Sequence, residues 1–281
     1  MVSISSTDAL HVRAQKIRAR VLEISHKAHK GHIGSALSIC ELVVVISSNA
    51  RGLGTSDPKR DRVVMSKGHA ALAWYSVLEQ KGIISTQTLE TYMQDGSLLG
   101  THPDPELDGV EFMTGSLGQG IGFGVGAALS GKIAKDDRRV FVVLSDSELN
   151  EGSTWESAAL AGQLKLKNLI VFLDLNGQQA LGKTKDILPT STAVCSWSEF
   201  GWNVIRVDGH STAELQNAVD AHLSSGTGPL LVIASTVAGK GVSFMEGQVK
   251  WHYTPMSDEE FVDASAQVRL ALNQLQVTDS K

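Results

Sequence analysis

The chain has 281 residues, of which 42% are hydrophobic and 20% are charged, and its formal net charge is −5 at pH 7. This length suffices for one large α/β domain, and the composition is that of a soluble globular protein. The acidic balance argues against a nucleic-acid-binding surface. A membrane span is not expected, because the longest apolar segment, around residues 42–46, is far too short to cross a bilayer.

The N-terminus has no apolar core of the kind found in signal peptides, so the cytoplasm is the expected location. Cys40 and Cys195 lie far apart and lack the spacing of metal ligands. Ordinary buried thiols in a reducing compartment are therefore expected, without a chemical role.

The segment after Thr7 is predicted to form two helices. They are interrupted at residues 30–35, where two glycines break the 3.6-residue periodicity and Ser35 can cap the second helix. His32 is therefore expected in a loop.

Two further histidines are also expected outside regular elements. Residues 62–65 predict a short strand and residues 70 to about 80 a helix, which places His69 at their junction. The prolines at positions 103 and 105 favour irregular structure around His102, since proline lacks an N–H and restricts the preceding residue.

Glycine occupies every second position from 118 to 126. This pattern is not a dinucleotide-binding fingerprint, because no apolar strand precedes it. The spacing also does not give Gly-x-Gly-x-x-Gly followed by an acidic residue at the expected distance. A helix this rich in small residues is instead expected to let another backbone approach closely.

Two continuous apolar segments, 139–144 and 168–173, predict neighbouring strands buried on both faces. Asp146 follows the first strand, and Asn176 follows the second. The two residues are 30 positions apart, which is one βαβ unit, and its right-handed crossover brings both strand ends to the same edge of the sheet.

A carboxylate and an amide oxygen that meet at a sheet edge can bind one Mg²⁺, which takes few protein ligands and keeps waters or phosphates. A helix predicted at about 153–164, after Glu148, would direct backbone N–H groups at a diphosphate. Each of Asp146 and Asn176, taken alone, is also a common turn or capping residue, and that alternative stays open.

Further strands are predicted at 202–207 and 229–234, separated by a helix with the capping box Ser211 and Glu214. Strands and helices therefore alternate, which predicts an α/β fold with a mostly parallel sheet and helices on both faces. We expect a single domain over residues 1–281, with a C-terminal helical tail from about 257 that carries its own capping box.

Motifs along nearly the whole chain resemble the transketolase family. The matching segments are residues 30–35, 66–70, 115–120, 144–152, 155–156, 168–170, 173–177, 200–202, 207–210 and 239–241. Within them, Asp146 and Asn176 resemble the thiamine diphosphate signature of that family, usually Gly-Asp-Gly followed about thirty residues later by Asn. The resemblance implies the thiamine diphosphate-binding fold. Within that family, it implies the domain that binds the diphosphate of the cofactor.

The resemblance also implies a set of site residues. Magnesium, or Ca²⁺ or Mn²⁺ in its place, would be bound by Asp146, Asn176 and the backbone carbonyl of Gln178. The implied cofactor-binding residues are His69, Gly115, Ser116, Leu117, Asp146, Ser147, Glu148, Glu151, Asn176 and Lys240. For Glu151, a favourable position near a helix N-terminus is the alternative explanation.

Four histidines match the active-site histidines of the family: His32, His69, His102 and His252. The resemblance places His69 against the diphosphate and the other three along the channel to the reacting carbon. Histidines suit acid–base catalysis because their pKa lies near neutrality. The remaining five, His11, His26, His29, His210 and His222, are expected to be structural.

The sequence departs from the family pattern at three positions. The signature glycines are Ser145 and Ser147, and the usual Trp-His-Gly has become Trp251-His-Tyr253. If Ser147 needed a left-handed backbone, the strain would be about 1–2 kcal/mol. Tyr253 could likewise crowd a turn that glycine accepts at positive φ.

The implied activity is transfer of a two-carbon ketol unit from a ketose or ketose phosphate to an aldose or aldose phosphate. The chain resembles only the first domain of a transketolase, so we expect a separate C-terminal subunit, in a heterotetramer with two copies of each chain. Two alternatives remain: a noncatalytic scaffold that has lost cofactor binding, and a phosphate-sugar binding module unrelated to thiamine.

Overall fold

The computed structural model describes residues 6–188 and 193–278. The helices are α1 Ser6–Lys27, α2 Ile33–Leu37, α3 Cys40–Asn49, α4 Ala71–Gln80, α5 Thr86–Glu90, α6 Gln119–Ala134, α7 Gly152–Gln163, α8 Thr184–Ile187, α9 Thr212–Ser225 and α10 Asp258–Thr278. The strands are β1 Arg62–Met65, β2 Val140–Ser145, β3 Leu169–Leu175, β4 Gln178–Gln179, β5 Gly182–Lys183, β6 Asn203–Asp208 and β7 Leu230–Ser235.

Five strands form one sheet in the order β1-β2-β3-β7-β6, and every neighbouring pair is parallel. The register places Ser145 beside Asp174 and Asp174 beside Ala234, so the central strands end level with one another. Strands β4 and β5 form a separate antiparallel pair. The α/β fold with a parallel sheet is confirmed, and the carboxyl ends of the strands share one edge.

Alternate residues of the strands pack on opposite faces of the sheet. Phe141 and Phe172 belong to a core that includes apolar residues of α1, α3, α4 and α9. Val142 and Val171 belong to a second core formed with α6 and α7. Because both faces are covered, the central strands must be apolar along their length, which explains the continuous segments in the sequence.

The interruption near residue 32 is confirmed, but the capping prediction for Ser35 is wrong. Helix α2 begins at Ile33, its N-cap is His32, and Ser35 lies buried within the helix. The carbonyl of Ser35 accepts hydrogen bonds from the Ser38 hydroxyl, at 2.9 Å, and from Lys67 Nζ, at 3.2 Å. Ser35 cannot act as an N-cap because it lies two residues inside α2, and the next helix begins only at Cys40.

The two predicted capping boxes differ in the structure. Ser257 and Glu260 exchange both backbone-to-side-chain hydrogen bonds, at 2.9 and 3.2 Å. Ser211 accepts from the Glu214 N–H at 3.2 Å, but the Glu214 carboxylate accepts from the Asp208 N–H instead of returning the bond. The box at Ser211 is therefore only half formed.

The glycines of α6 allow the close approach that the sequence predicts. A Cβ on Gly120 would lie 2.6 Å from the Cα of Ser66, and a Cβ on Gly124 would lie 2.5 Å from a methyl of Val142. The partner of this helix is thus the sheet of the same chain. Gly122 and Gly126 face outward.

Two other sequence expectations can be compared with the structure. Both cysteines are free, but only Cys40 is buried; Cys195 is exposed, because Val194 and Trp197 of the same short 3₁₀ segment face the core instead. None of the helices in the described ranges is long and apolar enough to cross a bilayer.

Candidate active site

Asp146 lies directly after β2, at the carboxyl edge of the sheet, and is fully buried. Its Oδ2 accepts hydrogen bonds from the Gly177 N–H, at 2.9 Å, and from the Thr184 hydroxyl, at 2.8 Å. Its Oδ1 has no hydrogen-bond partner among the described residues. A buried carboxylate oxygen without a donor is costly unless something else compensates its charge.

Burial and the negative charge of Asp174 raise the pKa of Asp146 to about 7, although its hydrogen bonds and Lys67 act in the opposite direction. The carboxylate form is therefore held at an energetic disadvantage. A cation beside Oδ1 would remove that disadvantage.

Asn176 and Gln178 lie next to this carboxylate, since Asp146 is hydrogen-bonded to the intervening Gly177. The Asn176 amide nitrogen donates to Asp174 Oδ2 at 2.9 Å, and its oxygen accepts from the Gln178 N–H at 2.9 Å. The structure thus brings Asp146 into contact with the segment that contains the other two residues implied by the resemblance as metal ligands.

These residues fit a hard divalent cation that binds with its own waters or with phosphates. The donor set would be one carboxylate oxygen, one amide oxygen and one backbone carbonyl, which is typical of Mg²⁺ sites completed by a ligand. No group of three or more His, Cys, Asp or Glu side chains in the described part of the chain is placed to hold a metal. The protein alone would therefore supply only part of the coordination.

A buried ion pair that the sequence did not predict supports this edge. Lys67, two residues after β1, donates from Nζ to Asp174 Oδ2, and both side chains are almost fully buried. Asp174 also accepts from the hydroxyls of Ser38, at 2.8 Å, and Thr236. The only feature of the sequence that pointed to this ion pair was an acidic residue, Asp174, at the end of an apolar strand.

Glu148 is fully buried and uses both carboxylate oxygens within the protein. One oxygen accepts from the Ser66 hydroxyl and from the Gly118 N–H at 3.1 Å. The other accepts from the Ser145 N–H at 2.8 Å. Glu148 therefore joins the loops after β1 and β2 to the start of α6, and direct contact with the cofactor stays a prediction.

The serines that flank Asp146 do not strain the backbone. Ser145 has φ −98°, and Ser147 is not among the residues with positive φ. Their hydroxyls are 2.9 Å apart, and the Ser145 hydroxyl also donates to Glu148 at 3.1 Å. The strain considered for Ser147 is absent, because its backbone does not adopt the left-handed conformation.

Three of the four predicted histidines form one cluster. The ring centroids of His32 and His69 are 5.7 Å apart, those of His32 and His252 are 5.1 Å apart, and those of His69 and His252 are 5.2 Å apart. The segments that carry them come from distant parts of the chain, and the His32 N–H donates to the His252 carbonyl at 3.1 Å.

The clustered histidines are held in the neutral form. Burial, with nearby positive charge, lowers the pKa of His32, lowers that of His69 well below its usual range, and lowers that of His252 to about 4. The Nδ1 atom of His32 is buried and has no partner among the described residues. A neutral imidazole can accept a proton from a substrate hydroxyl.

The turn that carries His32 requires a close backbone approach. His32 has φ 62°, a left-handed conformation that is uncommon outside glycine. A Cβ on Gly31 would lie 2.2 Å from the Tyr253 carbonyl oxygen, so glycine is required there. Tyr253 itself has φ −121° and is 57% exposed, so the predicted crowding at positive φ does not occur.

His102 is exposed and its ring lies over Gly115, whose φ is 143°. A Cβ on Gly115 would lie 2.9 Å from that ring. Next to it in the chain, Ser116 is exposed and Leu117 is half-buried. Glu151 is exposed and packs its Cβ against Gly118. The predicted cofactor loop is thus an open surface beside His102.

Lys240 lies on the loop after β7 and forms an exposed ion pair with Glu246 at 3.6 Å. The neighbouring Gly239 N–H donates to the Gly34 carbonyl at 2.9 Å, which fixes this loop against α2. A cofactor contact by Lys240 stays a prediction.

Three of the five remaining histidines make structural contacts outside the cluster. His26 pairs with Asp258 at 2.9 Å, and His222 bonds the Lys167 carbonyl at 2.9 Å. His210 lies 3.2 Å from the buried carboxylate of Glu41 and accepts from the Val237 N–H.

Comparison with known proteins matches residues 10–277 to the family model described as transketolase, thiamine diphosphate binding domain. The chain is 36% identical to a protein of Phocaeicola vulgatus named as a subunit of apulose-4-phosphate transketolase, over 96% of this chain and 97% of that protein. It is 35% identical to the 6-deoxy-6-sulfo-D-fructose transketolase subunit SqwG of Clostridium sp., over 92% and 96% of the two chains.

Longer proteins match over part of their length. Human transketolase is 35% identical over 88% of this chain, which spans 40% of the human protein. The crystal structure of Campylobacter jejuni transketolase superposes with a TM-score of 0.87 and 30% identity, over 92% of this chain and 42% of that one. From its motifs, its fold and these matches, the chain belongs to the transketolase family and corresponds to the thiamine diphosphate-binding domain.

Proposed function

We propose that this chain binds thiamine diphosphate together with Mg²⁺, or Ca²⁺ or Mn²⁺ in its place, at the carboxyl edge of the sheet. The observation that carries the proposal is the buried Asp146 Oδ1 without a partner among the described residues. The other oxygen of this carboxylate binds the N–H of Gly177, which lies between Asn176 and Gln178 in the chain. A divalent cation held by Asp146, Asn176 and Gln178 would compensate the buried charge and would attract a diphosphate.

The loops around this point are suited to hold the diphosphate. Glu148 fixes the backbone at Gly118 and Ser145, so that the start of α6 and the segment after β2 are held in place. His69 is neutral and would contact the phosphates as a hydrogen-bonding group without adding charge. Gly115, Ser116, Leu117, Ser147, Glu151 and Lys240 complete the proposed cofactor contacts.

When bound, thiamine diphosphate supplies the carbon that carries a two-carbon unit between sugars. The chain's own part is to orient the substrate and to move protons at its hydroxyl groups. His32 and His252, which are neutral and adjacent, would accept and return a proton. The exposed His102 lies close enough to help lower the pKa of His32, and it would contact the substrate. The proposed reaction is ketol transfer from a ketose or ketose phosphate to an aldose or aldose phosphate.

We further propose that a second chain, equivalent to the C-terminal part of a full-length transketolase, completes the site. Relatives matched over 96–97% of their length are named as subunits of transketolases, whereas the human enzyme is matched over only 40% of its length. The proposed assembly is a heterotetramer with two copies of each chain, in the cytoplasm.

The proposal is tested by a two-carbon transfer assay with thiamine diphosphate and Mg²⁺. This chain is assayed alone, and then with a transketolase C-terminal chain encoded in the same genome, against a panel of ketose and aldose phosphates. We expect no turnover from either chain alone and turnover from the mixture. Turnover by this chain alone would contradict the need for a partner.

The same assay tests the role of Asp146 with the variant Asp146→Ala in the reconstituted pair. Loss of turnover with retained association of the two chains would support the cation role of Asp146. If the wild-type pair associates but transfers no two-carbon unit from any ketose tested, the chain acts as a noncatalytic scaffold.

A further inference from the structure

A second site lies at the amino edge of the sheet, at the opposite end of the strands from Asp146. A cavity of about 790 Å³ opens there between the end of α6, the start of β2, the segment before β3 and the end of α9. Nothing in the proposed catalytic role uses this cavity.

The lining of the cavity is strongly basic. Its charged side chains are two acids, Asp136 and Asp137, and six bases. The six bases are Arg51, Lys132, Lys135, Arg139, Lys165 and Lys167. The formal charge of the lining is therefore +4, in a chain whose net charge is −5. Positive charge concentrated in a concave surface attracts anions from solution.

Half of these bases already have partners within the protein. Arg51 and Arg139 both bind the buried carboxylate of Asp61, and Lys132 donates to the Leu164 carbonyl at 2.6 Å. Asp137 and Asp136 are likewise engaged by arginines.

The other three bases of the cavity lining are Lys135, Lys165 and Lys167. They are exposed, and their side chains make no hydrogen bond or ion pair with any residue in 6–188 or 193–278. Three lysines that line one cavity thus have no ion-pair partner within the described ranges.

The backbone that presents these lysines is held in place. His222 Nε2 lies 2.9 Å from the Lys167 carbonyl, and the Lys167 N–H donates to the Lys165 carbonyl at 2.9 Å. Lys135 and Lys165 have φ 54° and 48°, a left-handed conformation in which helices usually end with glycine. The chain has lysine at both positions.

The ordinary explanation for cations here is that they offset the negative ends of helices. Helices α6, α7 and α9 all end at this edge. Each helix C-terminus is equivalent to roughly half a negative charge, so three of them offset about 1.5 of the +4. An excess of positive charge remains after this correction, and it lies at Lys135, Lys165 and Lys167.

We propose that this cavity binds a small anion with a polyphosphate group, held by Lys135, Lys165 and Lys167. Lysine acts as a point charge towards phosphate, and three lysines that line one cavity suit a ligand with several phosphate charges better than a monoanion. The polyphosphate group is shared by free polyphosphates and by nucleotides, and the experiment separates these sources.

The test is calorimetric titration of the full chain with inorganic tripolyphosphate, in EDTA so that no divalent cation assists binding at Asp146. We expect saturable binding with one anion per chain. The variant K135Q/K165Q/K167Q should bind at least about tenfold more weakly, because three ammonium contacts are lost together. K135R/K165R/K167R, which keeps the charges, should retain binding.

The charge-matched control is K16Q/K27Q/K250Q, which removes three lysines elsewhere on the surface and should bind as the wild type does. Equal weakening in this control, or unchanged binding in K135Q/K165Q/K167Q, would overturn the proposal. Absence of saturable binding to the wild type would also overturn it.

Hydrogen exchange locates the bound anion independently of the variants. Protection should appear at residues 131–139 and 163–168; protection at 115–118 and 146–152 instead would place the anion at the catalytic edge and overturn the proposal. Parallel titrations with ATP and adenosine identify the source. Tighter binding of ATP than of tripolyphosphate indicates a nucleotide, and equal binding indicates a free polyphosphate.

Discussion

Lys67 and Asp174 form a buried ion pair directly beside the candidate cation site, with side chains that are 1% and 0% exposed. Lys67→Met would leave the Asp174 carboxylate buried without its counter-charge. Removing one partner of a buried pair typically costs about 3–5 kcal/mol, so we expect a loss of that order in the free energy of unfolding. Urea denaturation at pH 7 measures it.

The matched control for that change is Lys27→Met, because Lys27 is 52% exposed and pairs with Glu23 and Glu90 on the surface. Exposed pairs contribute about 0–1 kcal/mol, so this variant should unfold close to the wild type. Equal stability losses in the two variants would show that the Lys67 pair has no special role.

Asp146→Asn should stabilise the protein in the absence of cations. The pKa of Asp146 is raised from 3.8 to about 7, so its contribution to stability is present at low pH and is lost as the pH rises through 7. Asparagine removes the buried charge and can still accept from Gly177 and Thr184. At pH 8 in EDTA, we expect a gain of roughly 2–4 kcal/mol in urea denaturation.

The same variant should lose the stabilisation that Mg²⁺ with thiamine diphosphate gives the wild type. If Mg²⁺ with thiamine diphosphate stabilised the Asn variant as much as the wild type, Asp146 would be excluded as a cation ligand. If the variant is less stable than the wild type at pH 8, the buried carboxylate must already be compensated within the protein.

Ser147→Gly tests whether the departure from the family signature weakens the site. Since Ser147 has an ordinary backbone conformation, glycine relieves no strain and should cost up to about 1 kcal/mol of stability through added chain entropy. Affinity for thiamine diphosphate in the two-chain complex should stay within about threefold, which is under 1 kcal/mol. A tenfold gain in affinity would instead indicate that the serine obstructs the diphosphate.

The histidine cluster predicts a loss of stability on acidification. The pKa of His252 is lowered to about 4, so its contribution is present above the unfolded pKa of 6.5 and is lost as the pH falls towards 4. His252→Gln should therefore lose less stability than the wild type between pH 7 and pH 4. Asp146 acts in the opposite direction, so the quantity to measure is the difference between the two unfolding curves. Parallel curves would contradict the buried, neutral state of His252.

The sequence predicts the sheet well because its strands are buried on both faces. The apolar segments at 139–144 and 168–173 correspond to strands at Val140–Ser145 and Leu169–Leu175, with boundaries displaced by one or two residues. The position of Asp146 at a strand end follows directly, since parallel strands end together.

Contacts between distant segments could not be predicted in this way. Lys67 and Asp174 are separated by 107 positions, and neither has a local pattern that reveals the other. The same holds for the close approach of Gly31 to the Tyr253 carbonyl, which lies next to the left-handed turn at His32. Local periodicity does not encode such pairings.

The most direct test of the proposed cofactor role is calorimetric titration of thiamine diphosphate into the complex of this chain with its C-terminal partner. With Mg²⁺ present, we predict saturable binding of one cofactor per copy of this chain. Binding should disappear in EDTA and in the complex carrying Asp146→Ala. Absence of binding by the wild-type complex with Mg²⁺ would contradict the account.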